Sequence, residues 1–252
     1  MHGAGDATIT AGSADWVIDG ERVTMPVEVR SAKMVAATFL VDPAAAQRVI
    51  DYSGLGIARE PGGKAVCSLS AVQYLDNDLG PYNEIAVAFV VRPHDLPADA
   101  KPPSFLTGKV ATFIHRLPVN QQFTCQAGRG IWGFPKWVTD ITYNDHGRHT
   151  DAVLLDDDQF VLALVARRGF IPLPSRHTEM SCYSWCDGVL RRTPWTTRNR
   201  YATAMPGGAQ LELGTRHPMA IELRSLGLPK RAVMTMTTGI MQASFGPPEI
   251  VG

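Results

Sequence analysis

Among the chain's six lysines, Lys136 has the most unusual surroundings. It sits in Ile131-Trp132-Gly133-Phe134-Pro135-Lys136-Trp137-Val138, between two indoles, a phenyl ring and aliphatic side chains. An ammonium placed there must snorkel to water, stack on a ring or give up its charge. A neutral amine is the nucleophile that condenses with a ketone to form a Schiff base. The plainer reading is a lysine at a strand start that caps the edge of an aromatic core. The other lysines lie at strand edges or beside Gly, Pro or polar residues and read as solvated. Of the seven histidines only His146 and His149 are close together, in a turn sequence (Asn144-Asp145-His146-Gly147-Arg148-His149). No HxxxH, HExxH or CxxC accompanies them, so no metal site is expected. Cys182 and Cys186 read as buried thiols rather than a redox pair. The signatures of serine hydrolases, P-loop enzymes and dinucleotide-binding enzymes are absent.

Two motifs carry a family resemblance. Gly128-Arg129-Gly130-Ile131-Trp132-Gly133-Phe134-Pro135-Lys136 resembles the stretch of the acetoacetate decarboxylase family that leads through an aromatic–Pro step to its Schiff-base lysine. Leu79-Gly80-Pro81-Tyr82-Asn83-Glu84 resembles that family's Gly-x-Tyr-x-Glu element. The order and separation of the motifs fit, as does the early helix Asp42-Pro43 to Val49-Ile50, and the resemblance runs roughly from Val23 to Met236. It implies a lyase acting on a keto acid, with an imine at Lys136 and proton transfer by Glu84. Arg30, Tyr82, Arg129, Trp132, Phe134 and Trp137 would contact substrate, with the aromatics keeping the amine dry and Arg129 serving either the helix end or a substrate carboxylate. No cofactor or metal is implied.

Three departures matter. Trp137 stands where the true decarboxylases carry a second lysine, Gly130 where they carry a carboxylate, and Leu69 near a further acidic position. Aldol, dehydration or cyclisation steps through the same imine are then the expected alternatives to decarboxylation. The rival class is a non-catalytic binding or oligomer-forming domain that keeps only the fold. A Lys136 that is exposed, or ion-paired to a carboxylate, would favour it.

The elements that must position these residues read mostly as strands: Val23–Val29, Met34–Val41, Val66–Tyr74, Glu84–Arg92, Val110–Leu117, Val138–Asn144 and Val153–Ala166, the last broken by a hairpin turn at Asp156-Asp157-Asp158. Short helices are expected after the N-caps Asp42, Asn120 and His217, the first and last with Pro next. The fold class expected is mainly β: one antiparallel closed or curved sheet, cone- or barrel-like, with a few short helices. Residues 15–252 would form a single domain behind a frayed segment, 1–14. The 252 residues are 45% hydrophobic and 19% charged, with 24 basic against 24 acidic side chains. That is a globular composition with no excess positive charge for nucleic acid or an anionic membrane. The longest apolar runs, Ile85–Val91 and Phe160–Ala166, are too short to span a bilayer. With no signal-like start and few cysteines, the expectation is a cytoplasmic enzyme of a small molecule, without nucleic-acid or membrane partners, assembling as a homo-oligomer.

Overall fold

The computed structural model describes residues 15–97 and 111–251. His2, Lys101, Lys109 and the expected frayed segment 1–14 lie outside them. The chain opens with a hairpin, β1 (Asp15–Ile18) and β2 (Glu21–Thr24), turned at Asp19 and Gly20, both at positive φ. Next comes β3 (Val27–Val41), one long strand where patterning suggests two. Its register against the following strand shifts between Val29 and Ala32. Such an irregularity changes which residues face inward without ending the strand, and that obscures the period.

The helix α1 (Pro43–Ile50) forms as expected, with the Asp42 carboxylate accepting from the Ala45 amide at 2.9 Å. Strands β4 (Ala65–Asn77), β5 (Tyr82–Val90) and β6 (Ala111–Arg116) lead to α2 (Gln122–Trp132). The N-cap of α2 is Gln121, whose side chain accepts from the Thr124 amide. Asn120, the expected cap, instead accepts from the Asn83 amide and so ties the helix entrance to β5. Beyond it run β7 (Asp140–Asp145), β8 (His149–Asp156) and β9 (Gln159–Arg167). The β8–β9 turn is the expected one, with Asp157 and Asp158 both at positive φ. The remainder is β10 (Ile171–Pro172), β11 (His177–Cys186), β12 (Val189–Arg200), β13 (Thr203–Met205), β14 (Ala209–Leu213), α3 (Pro218–Ser225), β15 (Met234–Phe245) and β16 (Glu249–Ile250).

Seven of these strands close into a barrel in the order β15-β3-β4-β5-β6-β11-β12, with β12 pairing back onto β15. Every junction is antiparallel except β6 with β11. A second antiparallel sheet, β14-β9-β8-β7, packs outside. Alternation along each barrel strand divides the side chains between two environments. On β4, Cys67, Leu69 and Ala71 join the main core, where they meet Phe39, Phe89, Phe113, the second sheet and α3. Each large apolar side chain fully buried there contributes about 1.5–3 kcal/mol. The alternate residues Val66, Ser68, Ser70, Val72 and Tyr74 face the barrel interior, which is not filled. Helix α2 closes one end, with Ala127, Ile131 and Trp132 packed against Leu79, Ile114 and Leu117. Among the described residues, no helix is long and apolar enough to cross a membrane.

Candidate active site

The barrel interior holds a cavity of about 240 Å³, lined by residues from all seven strands and from the segment after α2. Lys136 reaches its wall through a specific chain path. Helix α2 ends at Gly133 (φ 64°), whose amide donates to the Arg129 carbonyl at 3.1 Å, while the Phe134 amide donates to that of Gly128 at 3.0 Å. A left-handed glycine here lets the chain reverse while using up the last helical carbonyls. The Lys136 amide then donates to the Phe134 carbonyl at 2.8 Å, a tight turn about Pro135, and Phe134 and Lys136 both line the cavity. The side chain of Arg129 donates to the Lys136 carbonyl at 3.0 Å and fixes the backbone that carries the amine.

The lysine stem lies across α2. A Cβ placed on Gly128 would come within 2.5 Å of Lys136 Cδ, so the absence of a side chain at Gly128 creates the groove. One helical turn earlier, buried Thr124 places Oγ1 3.5 Å from Lys136 Nζ. At the end of the stem, Nζ is 2.8 Å from Glu84 Oε2, and only 4% and 8% of the two side chains is exposed. Nζ also stands 5.0 Å from the centroid of the Tyr82 ring. Glu84 is held from its other oxygen, Oε1, by the Tyr74 hydroxyl at 3.1 Å. Tyr74 and Tyr82 are directly paired across β4 and β5, and their rings stack at 4.3 Å. Burial keeps both phenols above their usual pKa, hence neutral. For Lys136 burial is the largest influence and lowers its pKa, but the Glu84 carboxylate, with Tyr82 and Cys125, more than reverses it. The net direction is upward and the resting amine is protonated.

Lys136, Glu84, Tyr82, Trp132 and Phe134 are thus brought together at one cavity, while three expected contacts are not. Arg30 projects outward from β3 onto Asp76 and Asp78, at 2.7 and 2.5 Å, because the irregular stretch of β3 puts Val27 and Val29, not Arg30, on the inner face. Arg129 donates to the Lys136 carbonyl and does not line the cavity. Trp137 points the opposite way from its neighbour Lys136: it packs against the main core and donates to Asp156 at 3.2 Å. Gly130 and Leu69 do not line the cavity either, so the charges at those positions would not face it directly. Lys136 also lies ahead of β7 rather than at a strand start.

Two residues at the centre were not anticipated, Tyr74 and Thr124. Tyr74 ends a recognisable strand whose hairpin partner begins at Tyr82, and that pairing was the available signal. Thr124 precedes Gly128 by four residues, the spacing that puts both on one helix face. The cysteines are all free, and burial raises the pKa of the cavity-lining Cys182 to about 12, which leaves it an unreactive thiol. His146 and His149 sit at the β7–β8 turn. Asp151 joins them, so that ligand-type atoms of all three lie within 4.8 Å, and His146 Nε2 is 2.5 Å from Asp151 Oδ1. Chain spacing alone gives no hint of Asp151.

Comparison with known proteins agrees with this architecture. The family model described as acetoacetate decarboxylase (ADC) matches residues 19–246. Among solved structures, an acetoacetate decarboxylase from Legionella pneumophila superimposes with a TM-score of 0.65 at 16% identity, covering 95% of this chain and 90% of that one. The enduracididine biosynthesis enzyme MppR complexed with pyruvate gives 0.64 at 12%, covering 90% of each chain. An acetoacetate decarboxylase-like enzyme from Sphingomonas wittichii RW1 gives 0.58 at 15%, covering 91% and 94%. No curated protein matches by sequence.

Proposed function

The chain belongs to the acetoacetate decarboxylase family, and on that premise we propose that it is an enzyme that forms an imine between Lys136 and the carbonyl group of a small molecule. The observation that carries this reading is the contact of 2.8 Å between a buried amine and a buried carboxylate on the wall of a cavity. Buried ion pairs seldom repay their desolvation as stability. A pair with open space beside it is better suited to moving a proton.

The balance of the step follows from the geometry. Glu84 accepts a proton from the ammonium, and the neutral amine adds to the carbonyl carbon. Glu84 returns the proton as the carbinolamine loses water. The products are a protonated imine, the Glu84 carboxylate and one water molecule. Tyr74 holds the carboxylate throughout, and the iminium replaces the ammonium as its partner. That iminium is an electron sink. It accepts the pair left by an α-proton taken by Glu84, which gives an enamine, or the pair left by departing carbon dioxide. With one carboxylate and one amine facing the cavity among the described residues, single proton transfers, aldol addition and dehydration are favoured over acetoacetate decarboxylation.

The same ion pair supports a second reading, a binding domain without catalysis, because it keeps the resting amine protonated. Exchange of α-protons of 2-butanone and of pyruvate in deuterated water separates the two. The catalytic reading expects exchange by the wild type that is lost in Lys136→Ala and Glu84→Gln. No exchange by the wild type with either compound would support the binding domain.

A further inference from the structure

We propose that the cavity selects uncharged, mainly apolar carbonyl compounds with a linear chain of about six to nine carbons, in preference to keto acids. This rests on the imine reading for the placement of the carbonyl, and on three observations of the cavity itself.

The first is charge. Lys136 and Glu84 are the only charged side chains among the described residues that line the cavity, and they already neutralise each other at 2.8 Å. A keto acid would bring a second carboxylate into this space with no cation left to meet it, and burying an uncompensated charge is strongly unfavourable. The two arginines that the family resemblance offers as substrate contacts are committed elsewhere, Arg30 to Asp76 and Asp78 and Arg129 to the Lys136 carbonyl. The second observation is the wall. Away from the ion pair it is built largely of side chains such as Met34, Met236, Met241, Trp195 and Phe245. Thioethers adapt their shape to apolar guests, and aromatic rings offer large contact area.

The third is size and shape. Lining residues follow β4 from Val66 to Tyr74 and β5 from Tyr82 to Val90 at every second position, so the cavity runs along the strands and continues past the Val72–Glu84 pair to Ser70–Ala86 and Ser68–Ala88. An apolar cavity of about 150 Å³ accommodates benzene. By that scale, 240 Å³ holds on the order of ten non-hydrogen atoms. A chain anchored at Lys136 can extend along the barrel axis, whereas a compact four-carbon acid leaves much of the apolar wall uncovered.

The test uses three homologous series with four, six and eight carbons: 2-alkanones, the matching 2-oxo acids, and 2-alkanols, which cannot form an imine. Binding is read from the fluorescence of the tryptophans, two of which, Trp132 and Trp195, line the cavity. Imine formation is read as a mass increase after borohydride. Affinity for alkanols and alkanones should rise about fourfold per methylene, and 2-octanone should bind at least about tenfold more tightly than 2-oxooctanoate, the margin that pairing with an uncompensated charge forfeits. Affinity independent of chain length, or 2-oxo acids binding as well as the ketones, would overturn the proposal even if adducts form. Chain-length-dependent binding of the alkanols with no borohydride adduct from any carbonyl compound would uphold the apolar selectivity and overturn the imine reading.

Discussion

Two carboxylates among the described residues, Glu84 buried and Glu222 half-buried, meet basic side chains and are used differently. Glu222 on α3 accepts from His115 Nε2 at 2.7 Å and from Arg116 at 3.2 and 2.8 Å, while the Tyr52 hydroxyl donates to His115 Nδ1 at 2.9 Å. Burial lowers the pKa of His115 by more than Glu222 raises it, so the ring is neutral and its two nitrogens have opposite roles. Burial alone would raise the pKa of Glu222, but its bonds from His115 and Arg116 outweigh this and hold it below the usual carboxylate range. The imidazole is packed among Tyr52, Phe89 and Phe113, and the cluster joins β6 to α3. Lys136 and Glu84 are more deeply buried, at 4% and 8% exposed against 21% for Glu222, yet a cavity adjoins them and Glu84 is steadied by one tyrosine. A fully bonded cluster in packed surroundings holds elements together. A pair with an empty side can exchange its proton with something that enters.

Substitutions at the two sites should separate these roles. Glu84→Gln should reduce α-proton exchange by about 10²–10⁴-fold, the usual contribution of a positioned acid–base group. It also removes the influence that raises the Lys136 pKa and leaves burial unopposed. The pH at which the amine becomes neutral should therefore fall, seen as imine formation beginning at lower pH. An unchanged pH profile would mean that Glu84 does not govern the amine. Next in size, Gly128→Ala should slow imine formation at least about tenfold, the cost of a small displacement of a reacting group. Helix propensity favours alanine by about 1 kcal/mol, which offsets part of the cost of crowding the lysine stem. Trapping kinetics alongside thermal unfolding provide the check.

Glu222→Gln should do the reverse, costing about 1–3 kcal/mol in denaturant unfolding while exchange activity stays within about twofold, as expected of a site with no contact to the reacting atoms. A large loss of activity in the folded variant would break the distinction between the clusters. The smallest effect is expected from Trp137→Ala. The indole faces the main core and Asp156, so the pH profile of imine formation should match the wild type even where stability falls. A shift in that profile would show that the indole tunes the amine after all.

How much of this is legible in the sequence depends on how local the determinants are. Helices α1 and α3 are set by a capping side chain followed by proline, and the Asp156–Asp158 turn by residues that tolerate positive φ. All three are visible without tertiary information. Strands β11 to β15 are not. Segments such as Trp195-Thr196-Thr197-Arg198-Asn199-Arg200 and Met234-Thr235-Met236-Thr237-Thr238 carry threonine and arginine in a closed barrel with a hollow interior, so the apolar alternation that marks a strand is weak. Lys136 stands out by its aromatic neighbours and Glu84 by its motif. The outward direction of Trp137 depends on the chain reversal at Gly133, and that of Arg30 on the irregularity in β3. Neither is encoded in residue type.

The central claim is that the amine of Lys136 is the group that reacts. Wild type, Lys136→Ala and Lys136→Arg should each be incubated with 2-hexanone at alkaline pH, reduced with borohydride, digested and mapped by mass spectrometry. The account predicts one ketone-sized addition per chain, on the peptide carrying Lys136, and none in either variant, since arginine keeps the charge but cannot deprotonate. Equal labelling of the alanine variant, labelling at another lysine, or no adduct in the wild type would contradict it.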